Sequence, residues 1–325
     1  MQPPTLEDVY RAKEIIRRHL NPTPLLSSPQ LSSMLGFKTL IKVESFLPTG
    51  SFKVRGGLNL ISQLGPEERK AGIIAASTGN HGQSLAYASN LLGVDAIIAA
   101  PKGANPLKVM SMEALGAEVV LRGKDYDEAR EWAEREAAEK GYRYVHSANE
   151  PLLIAGVATA ALEVLEDEPE VEAILVPVGG GSGASAYCTV IKALSPSVEV
   201  IGVQSELAPA FYRSWKERRM LEMPSSDTFA EGLQTRVPFQ LTMEILWDRL
   251  DDFLLVSDEE LKSGIVAYMS EAHLVAEGAA AAPLAAAFRY RNRWKGKRVV
   301  LVLTGHNITL ENLRTVLRDY ETLGD

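Results

Sequence analysis

Short runs of small and branched apolar residues recur along this chain, separated by longer stretches with helical spacing. The runs Leu40–Glu44, Gly72–Ala76, Asp95–Ala99, Glu118–Leu121, Ala173–Val178, Val198–Gln204 and Arg298–Leu303 are largely apolar on consecutive residues rather than alternate ones. A strand of that kind is buried on both faces, which requires a parallel sheet covered by helices on either side. Asn80–Leu92, Tyr126–Lys140, Pro151–Leu165 and Gly183–Leu194 supply apolar residues at helical spacing. A further helix is predicted near the start, from Leu6 to His19, ahead of the turn-rich Asn21-Pro22-Thr23-Pro24. The pattern predicts an α/β chain with open, mostly parallel sheets flanked by helices.

Composition narrows the partners. A length of 325 residues favours two domains, and 46% hydrophobic with 23% charged residues is ordinary for a globular protein. The net charge of −8 argues against nucleic acid or an anionic membrane, both of which need basic surface. The single cysteine, Cys188, forms no internal disulfide, so a reducing cytoplasm is expected. No leader peptide is read at the start, and the longest apolar stretch, Ala279 to Phe288, is too short to span a membrane. That stretch is read as a close-packed helix, and the acidic Glu166–Glu170 segment as a solvated loop.

Four turns carry chemistry. Pro48–Gly56 places Lys53 near a helix start, where the positive end of the dipole disfavours an added cation and favours a neutral, nucleophilic amine. Taken alone, Lys53 is also an ordinary surface lysine. Ser77-Thr78-Gly79-Asn80-His81-Gly82-Gln83 follows a predicted strand and opens a helix, which suits a carboxylate or phosphate. Plain capping by Ser77 or Thr78 explains part of it equally well. Gly179-Gly180-Gly181-Ser182-Gly183 lets backbone N–H groups converge on a phosphate. With Ala184 it also fits a dinucleotide fingerprint, and Glu199 or Glu206 lies near the ribose offset, so a nicotinamide-dependent oxidoreductase stays open, as does a non-catalytic phosphate-ligand protein. Thr304-Gly305-His306-Asn307 ends the last strong strand, where ligands gather in open sheets. His19, His146 and His273 have no metal-ligand spacing and are read as structural.

Taken together, Ser51-Phe52-Lys53, Ser77–Gln83, Gly179–Gly183 and Thr304–Asn307 resemble the fold-type II pyridoxal-phosphate enzymes. The chain looks like the threonine/serine dehydratase branch, which includes serine racemase, and the likeness runs from Asn21 to the C-terminal helix. The resemblance implies a tryptophan synthase β-like α/β fold with pyridoxal 5'-phosphate in an interdomain cleft. It implies Lys53 as the Schiff-base lysine and catalytic base, with Phe52 beside the ring and Asn80 on the cofactor's 3-hydroxyl. Ser77, Thr78, Gly79 and His81 fall in the substrate-carboxylate loop. Gly179, Gly180, Gly181, Ser182 and Gly183 fall in the phosphate loop, and Thr304 faces the pyridine nitrogen.

The implied reaction is α,β-elimination from L-threonine, L-serine or a related β-hydroxy amino acid, giving a 2-oxo acid and ammonia. Racemisation or β-replacement on the same fold is the alternative. Several residues depart from the family pattern. Gln204 and Ala210 stand where racemase-like members carry acidic cation ligands, so no metal is expected. Thr78 adds a methyl where the racemase has serine, which favours elimination. The sequence ends at Asp325, so no C-terminal regulatory domain is expected. The roles of Glu231, Glu277 and His306 are left open. The implied organisation is a smaller domain over 45–150 and a larger one over 1–44 plus 151–325, in a homodimer or homotetramer.

Overall fold

The computed structural model describes residues 1–323. In chain order the strands among them are β1 (Leu25–Ser27), β2 (Lys38–Val43), β3 (Ile73–Ala76), β4 (Ala96–Ala100), β5 (Glu118–Leu121), β6 (Arg143–Tyr144), β7 (Ala173–Pro177), β8 (Glu199–Ser205), β9 (Asp252–Val256) and β10 (Arg298–Leu303). The chain divides into two compact units, one holding Met1–Asn21 with Leu47–Thr159, the other Pro22–Phe46 with the chain from Ala160.

The first unit is built on a parallel sheet in the order β5-β4-β3-β6. Because side chains alternate along a strand, β3 feeds two layers. Ile73 and Ala75 pack against Val54, Leu58 and Ile61 of the helix Lys53–Ser62 and Leu85 and Ala88 of the helix Asn80–Leu92. Ile74 and Ala76 face Ala129, Ala133 and Ala137, the small-residue stripe of the helix Tyr126–Lys140. The N-terminal helix, Leu6–Ile16, opens with a capping box between Thr5 and Asp8 and sends Ala12 and Ile16 into the same core as Leu58. Sequence reading groups residues 1–44 with the larger unit. The apolar face of this helix instead joins the first unit, and only the chain from Pro22 joins the second.

The second unit carries a six-stranded sheet in the order β1-β2-β10-β7-β8-β9, parallel except where β1 runs against β2. Leu175, Ile201, Val203, Leu301 and Leu303 pack against Ala280, Ala282, Leu284 and Ala286. Those alanines belong to the helix Gly278–Arg289, which bears out the close-packed reading; Pro283 lies inside it. The seven strand runs and the helical segments all form within a residue or two of their expected ends, except that the first helix stops at Ile16 rather than His19. Among the described residues, no helix is long and apolar enough to cross a membrane.

Candidate active site

In the first unit, Phe52 caps the helix Lys53–Ser62 and Lys53 is its first residue. The Lys53 amine donates to the Ser147 carbonyl at 3.2 Å and stands 5.1 Å from the centre of the Phe52 ring. Burial lowers its pKa from the ordinary 10.5 to about 8. Sequence reasoning expects that direction from the helix dipole; desolvation is the cause here. The next site segment lies directly after β3. The Ser77 hydroxyl oxygen accepts from the backbone of Gly79 at 3.2 Å and Gly82 at 2.9 Å. Ser77 therefore caps the turn, and Asn80 begins the helix Asn80–Leu92. Thr78, Gly79 and Asn80 are half-buried.

His81 is buried, with Nε2 3.4 Å from the Val145 carbonyl. Burial first, then the Lys53 charge, lowers its pKa to about 3, and burial lowers that of His146 to about 4. Both rings are neutral at ordinary pH. An amine poised near neutrality, two neutral imidazoles and a helix N-terminus thus share the first unit.

In the second unit, Gly179 and Gly180 follow β7, and Gly181, with φ of 84°, precedes the helix Ser182–Leu194. A Cβ on Gly179 would sit 1.9 Å from the Gly232 carbonyl oxygen, so another backbone segment closes on the loop. At Gly181 a Cβ would meet that of Thr242 at 2.9 Å. Thr242, fully buried, donates its hydroxyl to the Gly180 carbonyl at 2.9 Å. Sequence reasoning misses Thr242, since nothing in the helix Gln240–Arg249 marks it. Thr304 is buried just past β10, and the next carbonyl, on Gly305, accepts from Glu277 N at 3.0 Å. Glu277 is half-buried, while Glu231 and His306 are exposed.

Another feature invisible to motif reading lies at the start of this unit. Lys42, fully buried in β2, donates to Glu163 at 2.6 Å and to the Thr23 carbonyl at 2.7 Å. The Thr23 hydroxyl in turn donates to buried Glu44 at 2.6 Å. Gln204 accepts from Tyr212 N at 3.0 Å, and Ala210 begins a helix. Among the described residues, no group of three or more His, Cys, Asp or Glu gathers to hold a metal ion.

The donor sets fit a phosphorylated aldehyde. A half-buried, desolvated amine that loses its proton near pH 8 suits a carbonyl carbon, and a glycine-rich loop at a helix N-terminus suits a phosphate. The model of the family described as pyridoxal-phosphate dependent enzyme matches residues 16–305. An L-threonine ammonia-lyase of Thermotoga maritima is 38% identical over 313 residues, covering 96% of this chain and 78% of that protein. The solved T.th. threonine deaminase is 37% identical with a TM-score of 0.89, over 94% of this chain and 99% of that one. Maize serine racemase superposes with a TM-score of 0.92 at 26% identity, over 99% of each chain.

The chain belongs to the pyridoxal-phosphate dependent enzymes, with the fold of their type II class. Its cofactor is pyridoxal phosphate.

Proposed function

We propose that this protein is a dehydratase that converts L-threonine, L-serine or a related β-hydroxy amino acid to a 2-oxo acid and ammonia. The observation that carries the reading is Lys53, a half-buried amine lowered to about pKa 8 by desolvation and close enough to His81 of the Ser77–His81 turn for its charge to act there. Relatives named threonine ammonia-lyase and threonine deaminase support it at 37–38% identity.

Bound pyridoxal phosphate supplies an electron sink conjugated to the substrate amine. Lys53 would hold the cofactor covalently, and its amine, neutral above about pH 8, would serve as the general base for the substrate's Cα proton. The turn Ser77–Gly79 offers hydroxyl and backbone donors to the substrate carboxylate, and Asn80 holds the cofactor's 3-hydroxyl. Phe52 packs near the ring. Backbone N–H groups from Gly179 to Gly183 hold the phosphate. The Thr304 hydroxyl would donate a hydrogen bond to the pyridine nitrogen without protonating it, which would leave the ring a weaker electron sink than a protonated one.

His81 stays neutral beside the lysine and adds no charge to the substrate loop. A cytoplasmic homodimer or homotetramer is the proposed setting. Incubation with serine, threonine and related amino acids tests the reading. Formation of ammonia and 2-oxo acid is expected; accumulation of the D-enantiomer alone replaces dehydratase with racemase.

A further inference from the structure

The Lys53 amine points its hydrogen bond at a carbonyl in irregular backbone, the Ser147 carbonyl beyond β6. Such a carbonyl keeps its direction only if something fixes its peptide plane. The segment is anchored at its start, where Val145 N donates to the Ile74 carbonyl at 2.9 Å, and at its end, where Glu150 N donates to the Ala148 carbonyl at 2.9 Å. Its middle is held by a side chain. His146 Nδ1 accepts from Ala148 N and from Asn149 N, each at 3.0 Å.

These are the amides two and three residues onward, the pair that an Asn or Asp side chain accepts from in an Asx motif. The Ala148 N–H and the Ser147 carbonyl belong to one planar peptide group, so the bond from that N–H to the imidazole fixes the direction of the carbonyl. The Ser147 side chain also hydrogen-bonds Tyr126, which holds the residue without setting its carbonyl direction. An Nδ1 that accepts two N–H bonds carries no proton, so the ring is neutral with its hydrogen on Nε2. Burial keeps it so, helped by the nearby positive charges of Arg130 and Lys53 and opposed by Glu134 alone.

We propose that His146 is a positioning residue for Lys53: its Nδ1 gathers the Ala148 and Asn149 amides and thereby aims the Ser147 carbonyl at the Lys53 amine. The proposal rests on Lys53 being the reacting amine. It assigns an active-site role to a histidine whose sequence context reads as merely structural.

The test compares His146→Leu, which removes the acceptor, with His146→Asn, whose Oδ1 occupies the bonded place of Nδ1. In the holoenzyme, His146→Leu should speed hydrogen–deuterium exchange in the segment 145–150 by roughly fivefold or more. It should lower kcat by roughly 10–100-fold while leaving KM close to wild type. His146→Asn should return both readouts close to wild type. Unchanged exchange in the leucine variant, equal loss in both variants, or an effect on KM alone overturns the proposal. Should the leucine variant fail to fold, the asparagine variant and the 15N spectrum of the native chain decide. Loss of activity in the former, or a proton on Nδ1 in the latter, overturns it. Exchange and tautomer are read without regard to which lysine binds cofactor, so failure of the Lys53 assignment is distinguishable.

Discussion

The Ser84 hydroxyl donates to the backbone carbonyl of Lys53 at 2.7 Å. It ties the first residue of one helix to the second turn of the helix that Asn80 begins, so Lys53 and the Ser77–His81 turn are held in one frame. Ser84 is buried, and its removal leaves the carbonyl without this donor. Ser84→Ala should lower stability by about 1 kcal/mol, read as a lower urea midpoint at unchanged slope.

Lys53 itself should titrate early. Its folded pKa of about 8 lies below the ordinary 10.5, so between those values the unfolded chain binds the extra proton. Stability therefore rises with pH across that window as far as Lys53 is concerned, and the amine is reactive from its lower edge. Acylation of Lys53 in cofactor-free protein, followed by peptide mass spectrometry, should show a midpoint near pH 8. A midpoint near the ordinary lysine value would refute the burial argument.

Thr242 shapes the glycine loop without touching it through any recognisable motif. Thr242→Val keeps the volume but removes the donor to the Gly180 carbonyl. The change should cost about 1 kcal/mol and speed cofactor loss on dialysis, with Thr242→Ser retaining both properties.

The Lys42–Glu163 pair should be more damaged by loss of one partner than by loss of both. Lys42→Met strands the Glu163 carboxylate in a buried site and should destabilise by about 3–5 kcal/mol in thermal unfolding. The double change Lys42→Met with Glu163→Leu should recover much of that loss, since neither charge is then left buried alone.

What sequence made visible follows from these contacts. Strands buried on both faces, such as β3 and β7, announce themselves because every residue is apolar, and β10 because all but its first residue is. β1 and β6 pass unnoticed because they are three and two residues long, and β9, a sheet edge, is buried at only two of its five residues. The N-terminal helix was legible as a helix, but its allegiance was not, since Ala12 and Ile16 fit any apolar partner. The position of Lys53 at a helix start was legible, and so were the turns that follow β3 and β7. The reason for its lowered pKa was not, because burial depends on chain segments far away. His146 carried no signal at all: its chemistry lies in two amides of an irregular segment, which spacing does not encode. Thr242 and the Lys42–Glu163 pair escaped for the same reason, being contacts between residues 62 and 121 positions apart.

The central claim is that Lys53 is the covalent anchor of the cofactor. Borohydride reduction of the yellow holoenzyme, proteolysis and peptide mapping test it most directly. The predicted result is one pyridoxyl group on the peptide containing Lys53, with no colour and no turnover in Lys53→Ala. A pyridoxyl group on any other lysine, or a Lys53→Ala variant that keeps its colour and activity, would contradict it.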